Sequence, residues 1–542
     1  MPERVPARER GVRHRFRVLV TDPVAEDGLE ILRRTPGFEV EVRLKLAGAE
    51  LRKALGSADA LVVRSETKVT ADVLPEGGRL KAVGRAGVGV DNVDVSAATR
   101  RGILVMNAPE GNTLAAAEHT MALMLALMRN VPAAHVSLKA GEWKRSKFIG
   151  GELNGKVLGV VGLGRIGGEV AKRARAFGMT VVCSDPLITA ERARELGAEL
   201  VDLKTLLRRA DVISLHAPKL AELQHLIGAA ELKLMKPGVR IVNCARGGLI
   251  DEGALAEAVQ RGHVAGAALD VFETEPLAAG SPLLKLDQVV VTPHLGASTA
   301  EAQTNVSVVI AEQLRDYLLN GIVRNAVNAP ATSPEAMGVV VPNAALAERM
   351  GRFLVQLCSG VPERISLEYR GEIAEKKIGA VTAAAVQGVL SVALQDRVNI
   401  VNALVLARER GIAVTEGTNP EPGGFSSLVR LTIATATQTR WMEGTVIGKE
   451  EPHVVAIDGL WLDIVPEGVM ITFSNDDRPG IVGKVGTILG NHRVNIAGLN
   501  VGRPAPGERA MSVYKVDPPV PDRVLGELSR LAELSDLHVV TV

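Results

Sequence analysis

Short apolar, β-branched runs recur along the middle of the chain, at 157–161, 180–183, 212–215, 240–243, 264–269 and 289–291. Each gap has room for one crossover helix. That alternation predicts a parallel, doubly wound sheet with right-handed crossovers and helices on both faces. A shorter alternation precedes it, with runs at 17–20, 60–63, 80–83 and 103–105, and predicts a second, smaller α/β unit. Two such units meeting at a cleft place a ligand at their interface.

The texture changes after residue 328. Residues 325–343 are rich in Pro, Ala, Asn and Ser and read as a linker. Leu346, Met350, Phe353, Leu354 and Leu357 then follow helical spacing, and Ile365, Leu367 and Tyr369 alternate as in a strand. Asp458-Gly459 between two apolar runs signals a hairpin. Residues 330–465 therefore read as a separate α+β domain, and 468–542 as strand, helix, strand, strand, helix, strand.

Composition narrows the functional classes. The 542 residues suffice for three or four domains. Lys and Arg number 63 against 62 Asp and Glu, a net charge of +1 that offers no field for a nucleic-acid partner. Aromatics are 3%, so cores must be aliphatic and base stacking has few platforms. Cys183, Cys244 and Cys358 are far apart, giving neither a metal site nor a disulfide framework, and they suit a reducing cytoplasm. The longest apolar stretch, 114–128, is interrupted by Glu118, His119 and Thr120, whereas about 20 clean residues span a bilayer. It predicts a buried or dimer-facing helix and no membrane partner. Residues 1–15 are basic without an apolar core and predict a disordered arm, not a signal peptide.

Gly162-Leu163-Gly164-Arg165-Ile166-Gly167 forms a G-x-G-x-x-G between a predicted strand and a predicted helix over 169–177. That is the context in which glycines permit a tight turn and close backbone approach to a pyrophosphate at a helix N-terminus. The next strand ends at Asp185, which can accept from both ribose hydroxyls and would repel a 2′-phosphate. Leu187 and Ile188 supply no arginine to neutralise one, so the expected cofactor is NAD.

Ligands of an open α/β sheet lie beyond the carboxyl ends of its strands. His216, Arg246, Asp270 and His294 each follow an apolar run closely, as Asp185 does, and Glu275 follows Asp270. Oxidation of a 2-hydroxy acid needs a base for the hydroxyl proton, for which histidine is suited near neutral pH. It needs a carboxylate to hold that ring, and an arginine whose planar fork fixes the substrate carboxylate. His294, Glu275 and Arg246 are the candidates for these tasks.

With these motifs in place, the chain resembles the D-2-hydroxyacid dehydrogenase family, and within it the long-form members that oxidise 3-phosphoglycerate. The resemblance spans about residues 16–542 and rests on Val83-Gly84-Arg85-Ala86-Gly87-Val88-Gly89-Val90-Asp91-Asn92, the glycine loop, Asn243 to Glu252, Asp270 to Pro276 and Thr292 to Thr299. It implies a fold of two doubly wound Rossmann-like domains, an α+β intervening domain and a C-terminal ferredoxin-like ACT domain. The substrate domain would be 16–111 with 299–328, and the NAD domain 112–298. The intervening, allosteric substrate-binding-like domain would be 330–465, and the ACT domain 468–542. It implies Arg246, Glu275 and His294 as the catalytic set and Asp270 as the holder of the nicotinamide carboxamide. Cofactor contacts are implied at Arg165, Ile166, His216, Ala217, Cys244, Ala245, Arg246, His294 and Gly296. Substrate contacts are implied at Arg64, Ser65, Gly87, Asn112, Arg246 and His294, and at Arg145 from a partner loop. The chain departs from many relatives at Val88, where they carry Thr, and at Leu220-Ala221-Glu222-Leu223, where a Thr-Pro-Glu-Thr is usual.

The tail carries Asp476-Asp477-Arg478-Pro479-Gly480 and Val494-Asn495-Ile496, which match the effector positions of serine-regulated relatives. The resemblance thus implies L-serine as an effector at Asp477 and Asn495, and a homo-oligomer, tetramer or dimer, in the cytoplasm. Two alternatives stand beside the 3-phosphoglycerate reading: a dehydrogenase of another 2-hydroxy acid, and a non-enzymatic, NAD-sensing corepressor-like protein.

Overall fold

A computed structural model describes residues 15–331, 336–394, 398–421, 424–448 and 450–542; the arm expected at the N-terminus, Arg15 apart, lies outside the described residues. Among the described residues the strands assemble into four sheets. The first comprises β1 (Phe16–Val20), β2 (Phe38–Val42), β3 (Ala60–Val63), β4 (Ala82–Arg85) and β5 (Leu104–Asn107), in the order β2-β1-β3-β4-β5. All its pairings are parallel. β3 is buried along its whole length, as expected for a strand covered on both faces. The sequence reading missed β2, whose Glu39 and Glu41 interrupt the apolar pattern because it is a half-exposed edge strand.

The second sheet comprises β6 (Val157–Val161), β7 (Thr180–Ser184), β8 (Glu199–Leu200), β9 (Val212–Leu215), β10 (Val239–Asn243), β11 (Val264–Leu269) and β12 (Val289–Val291). Its order is β12-β11-β10-β9-β6-β7-β8, all parallel. The order reverses between β6 and β9, and in the first sheet between β1 and β3. These switch points open crevices at the carboxyl ends of the strands.

Two helices tie the units together. Thr113–Met128 buries Ala117, Met121, Met124 and Leu127 against Leu158, Val160 and Val242 of the second unit. Its mostly apolar composition follows from that burial. Ala300–Asn320 returns to the first unit, where Val306, Ile310 and Leu314 pack on Val18, Val62 and Ala82. The helix can come this close because of Gly84: a Cβ there would lie 2.6 Å from Ile310 Cγ2. No single helix among the described residues is long and apolar enough to cross a membrane.

The third sheet comprises β13 (Pro362–Gly371), β14 (Ala413–Asn419), β15 (Ser427–Thr435), β16 (Thr439–Ile447), β17 (Glu451–Ile457) and β18 (Leu460–Ile464). The pairing of β13 with β14 is parallel and the rest are antiparallel. Helices Met337–Gln356 and Gly379–Ala393 pack closely against one another: a Cβ on Gly388 would meet Glu348 O at 2.0 Å. The expected linker over 325–343 is partly wrong, since this first helix begins at Met337 and contains Pro342. Burial of Val340, Leu346 and Ala347 outweighs the local helix penalty of that proline.

The fourth sheet comprises β19 (Val469–Asp476), β20 (Ile496–Gly502), β21 (Arg509–Val516) and β22 (Leu534–Thr541), antiparallel in the order β20-β21-β19-β22. Helices Ile481–Asn491 and Asp522–Leu528 close its core over Phe473 and Tyr514. The expected class, two α/β units followed by an α+β domain and a ferredoxin-like tail, is the one found.

Candidate active site

The glycine loop follows β6 at the switch point. Gly162 has φ 90°, and a Cβ on it would lie 2.8 Å from His216 O beyond β9. A Cβ on Gly167 would lie 2.1 Å from Gly162 O, so this glycine lets the helix Arg165–Ala176 seat on the loop. Gly164 caps that helix, and a Cβ there would meet nothing within 4 Å. The loop is thus tight below and open above, with backbone N–H groups of a helix N-terminus facing the opening. Asp185 accepts from Leu163 N through Oδ2 and from Leu187 N through Oδ1, each at 2.8 Å. Its carboxylate joins the loop after β7 to the glycine loop and retains lone pairs for two hydroxyls. Arg165 and Ile166 begin the helix.

His216 follows β9, and its Nε2 lies 2.8 Å from Ser214 Oγ. Burial pushes the imidazole down to about 4, so the ring is neutral at physiological pH. Its neighbour Ala217 continues the same wall. Beyond β10, Asn243 Oδ1 accepts from Ala245 N at 3.0 Å, shaping the turn that displays Cys244, Ala245 and Arg246. Burial pushes the Cys244 thiol up to about 12.

The ends of β11 and β12 meet beside that turn. His294 Nδ1 lies 2.8 Å from Glu275 Oε2, and Glu275 Oε1 accepts from Phe272 N at 3.1 Å. Burial works to raise the Glu275 carboxyl, but the His294 bond and charge outweigh it and hold it below the usual range. The segment from Thr292 to Gly296 folds around Asp270. That buried carboxylate accepts from Thr292 Oγ1 at 2.5 Å, Leu295 N at 2.7 Å and Gly296 N at 2.8 Å. His294 N donates to the Asp270 carbonyl at 2.9 Å. Gly247 presses on the other segment: a Cβ there would lie 1.7 Å from Phe272 O. The turn bearing Arg246 and the loop bearing Glu275 are therefore packed backbone to backbone.

Arg246 reaches across to the first unit. Its Nε donates to Asp91 Oδ2 at 3.0 Å, and a Cβ on Gly89 would lie 2.1 Å from Nη2. On the same face, Arg64 and Ser65 follow β3. Asp22, beyond β1, accepts from Arg64 N at 2.6 Å and from Glu66 N and Thr67 N, each through Oδ2 at 3.2 Å. Asn92 Nδ2 donates to Arg64 O at 2.8 Å and Thr67 O at 2.7 Å. Gly87 lies in the adjoining loop with φ 155°. Asn112 caps the helix Thr113–Met128, and its Oδ1 is buried with no hydrogen-bond partner among the described residues.

The single chain brings most of the predicted residues to one cleft, but not all. Arg145 stands exposed on the one-turn helix Arg145–Phe148 and takes no part in the cleft's hydrogen bonds or ion pairs among the described residues. Asp477 accepts from Arg503 Nη1 and from Gly507 N, while Asn495 Nδ2 donates to Asp517 Oδ2 at 2.9 Å. Asp476 pairs with Arg509, whereas Ile496 pairs with Val516 at the far end of the same strand. Asp477 and Asn495 therefore lie at opposite ends of the fourth sheet.

Sequence reasoning missed Asp22, Asn92, Arg85 and His119. His119 Nε2 lies 3.2 Å from both Asp270 Oδ1 and Thr292 Oγ1, so a polar interruption in an apolar helix supports the buried carboxylate. An acid just after β1, by the strand-end logic applied to the second sheet, was the available signal for Asp22.

Residues 121–296 match the model of the D-isomer specific 2-hydroxyacid dehydrogenase NAD binding domain. Residues 339–458 match the D-3-phosphoglycerate dehydrogenase intervening domain, and 469–533 the ACT domain. The chain is 44% identical over 527 residues to D-3-phosphoglycerate dehydrogenase of Methanocaldococcus jannaschii, covering 97% of this chain and 100% of that protein. It is 40% identical over 525 residues to the Bacillus subtilis protein of the same name, covering 97% and 99%. Among solved structures, D-lactate dehydrogenase from Aquifex aeolicus, complexed with NAD and lactic acid, superposes with TM-score 0.52 at 31% identity. That match covers 58% of this chain and all of the other.

Proposed function

The chain belongs to the D-isomer specific 2-hydroxyacid dehydrogenase family, and from that premise we propose that it oxidises D-3-phosphoglycerate to 3-phosphohydroxypyruvate with NAD, the first step toward L-serine. The observation that carries the chemistry is the His294–Glu275 pair, placed at the strand ends with Arg246 and facing the Arg64 loop. The glycine loop fits NAD: it is open above Gly164, and Asp185 has acceptor capacity and is followed by Pro186, Leu187 and Ile188 with no arginine among them. NAD held there would supply the hydride acceptor for the oxidation.

The chain's own residues do the rest. His294 presents Nε2 to the substrate hydroxyl and takes its proton, while Nδ1 stays on Glu275. The Glu275 carboxylate, held ionised, stabilises the imidazolium that forms. Arg246 exchanges its contact with Asp91 for the substrate carboxylate, which its planar fork orients. Asp270 fixes the segment that carries His294, and in this reading it would help hold the carboxamide end of NAD. The buried Asn112 Oδ1, without a partner, is available to the ligand at the hinge. The substrate-binding part is 16–111 with 299–328, the NAD part 112–298, followed by the intervening domain at 330–465 and the ACT domain at 468–542.

A second copy completes two sites in this reading. Val131, Val136, Leu138, Trp143 and Ile149 are exposed around the helix Val131–Lys139 and the turn bearing Arg145. Exposed apolar side chains gathered in one stretch of chain are what a homo-oligomer covers, and in this reading covering them delivers Arg145 to a neighbouring cleft. In the tail, β20 is an edge strand. A copy pairing antiparallel along it brings Asp477 of one protomer toward Asn495 of its partner, and serine fits between an acid and an amide. The three free cysteines suit the reducing cytoplasm. The test is NAD reduction with 3-phosphoglycerate beside glycerate and lactate; equal or better rates on the unphosphorylated acids would assign a different 2-hydroxy acid.

A further inference from the structure

The loop that carries Glu275 is fastened to the rest of its unit at a further place. Glu273 N donates to Glu252 Oε1 at 2.6 Å, and Glu252 N donates to Glu273 Oε1 at 3.1 Å. Each glutamate thus takes the backbone N–H of the other, across 21 positions of chain. Glu252 is the first residue of the helix Glu252–Gln260, so its N–H is one that no carbonyl of that helix can reach. The turn bearing Arg246 runs on through Gly247 and Asp251 into this helix, and Glu273 stands two residues before Glu275. The crossed bonds therefore join the element that displays Arg246 to the loop that holds His294.

The two contacts along this seam differ in kind. Gly247 lies against Phe272 so closely that the backbones can come no nearer, a Cβ there being 1.7 Å from Phe272 O. That contact limits approach; the crossed bonds of Glu252 and Glu273 limit separation. Capping the helix does not require them, because Asp251 Oδ1 already accepts from Ala254 N at 2.9 Å. They also carry an electrostatic cost. Glu252, Glu273 and Glu275 gather along one seam, with the imidazoles of His225 and His294 beside them; His225 Nε2 lies 3.1 Å from Glu273 Oε1. Burial, together with the charges of Glu273 and Glu275, pushes the Glu252 carboxyl above its usual range, and the Glu273 N–H and His225 only partly oppose this. Carboxylates perturbed in this way beside reacting groups are characteristic of a functional site.

Taking the oxidation proposed above as the reaction, we propose that Glu252 and Glu273 are positioning residues for it: their crossed hydrogen bonds hold the Glu275–His294 pair at a fixed distance from Arg246. The substrate's reacting carbon is bonded directly to its carboxylate. The imidazole that takes the hydroxyl proton and the guanidinium that orients the carboxylate must therefore meet one small molecule from two sides of the seam. A misplacement of about 1 Å between such groups can cost about 10²-fold in rate. Neither glutamate touches the substrate in this assignment; both act through the two loops they join.

The experiment compares full-length wild type, Glu252→Gln, Glu252→Ala and Glu273→Ala. Glutamine keeps an Oε1 acceptor for Glu273 N and removes only the charge, whereas each alanine removes one of the crossed bonds. Turnover with 3-phosphoglycerate is counted per NADH-binding site, measured by fluorescence titration, so that a loss of folded protein cancels. On that scale kcat should fall about tenfold or more in each alanine variant, with NADH affinity within about twofold of wild type because the glycine loop lies on another strand. Glu252→Gln should recover most of the kcat. Glu273→Ala carries the same test should Glu252→Ala fail to fold. Wild-type kcat in an alanine variant, or a Glu252→Gln as slow as Glu252→Ala, would overturn the proposal. A parallel loss of NADH affinity would assign the pair to the fold of the whole unit and overturn it too. A wild type that oxidises neither 3-phosphoglycerate nor glycerate nor lactate would remove the reaction and this role with it, whereas an active wild type with equally active alanine variants removes this role alone.

Discussion

Two glycines three residues apart should respond oppositely to the same added methyl group. Gly164 has φ −72° and ψ −156°, an extended conformation open to alanine, and its Cβ would meet no protein atom within 4 Å. In the free protein, Gly164→Ala should be neutral or stabilising by about 0.4–1 kcal/mol, through a less flexible unfolded chain. The new methyl occupies the space where a pyrophosphate approaches the helix N-terminus. Displacing it loses charged hydrogen bonds worth about 1.5–3 kcal/mol, or roughly ten- to a hundredfold in NADH affinity. At Gly167 the Cβ would lie 2.1 Å from Gly162 O, nearly an ångström inside the 3.0 Å limit of real Cβ contacts. Gly167→Ala must move backbone, so the free protein should lose about 1–3 kcal/mol. Chemical denaturation without cofactor and NADH fluorescence titration separate the two effects. Wild-type NADH affinity in Gly164→Ala would show that the dinucleotide does not cross the loop there. A stability loss in Gly164→Ala equal to that of Gly167→Ala would show that the cradle is not open.

His294→Gln should lower turnover about 10²–10⁴-fold while keeping NADH binding, because the ring acts on the substrate proton and its loop is held by Asp270; near-wild-type turnover would remove His294 from the chemistry. His216 sits at about 4 in the folded chain against about 6.5 unfolded, so the unfolded state takes up its proton first as pH falls. Its contribution is complete above pH 6.5 and is lost between about 6.5 and 4, by order of 3 kcal/mol; in His216→Asn, urea unfolding should show a correspondingly flatter profile across that window. In the tail, Asp477→Ala should weaken inhibition by serine about ten- to a hundredfold with basal activity intact. Unchanged serine titrations in that variant would place the effector away from Asp477.

Much of the cofactor site was legible in the sequence because it is built from local signals. A strand, a glycine turn and a helix follow one another within the stretch from Val157 to Ala176, and burial on both faces makes the parallel strands read as continuous apolar runs. The polar residues just past those runs, Asp185, His216, Arg246, Asp270 and His294, are placed by the sheet itself. Edge elements were less legible. β2 and the two-residue β8 bury little and so carry little pattern, and the proline-bearing start of the helix at Met337 resembles a linker until its packing is known.

What the sequence by itself determined is therefore the succession of buried strands along the chain and the residues displayed at their ends, since period and local turn chemistry suffice for those. Only the tertiary structure decided how the displayed residues meet. Arg246 reaches Asp91 across 155 positions, and His119 reaches Asp270 across 151, because the helices Thr113–Met128 and Ala300–Asn320 pack the two units face to face. Asp22 becomes the clamp of the Arg64 loop only through the β1–β3 pairing. The same packing commits both nearby carboxylates elsewhere and leaves Arg85 without an ion pair among the described residues. A linear sequence can count charges, but which of them are buried together, and which are already paired, depends on distances that only the folded chain sets.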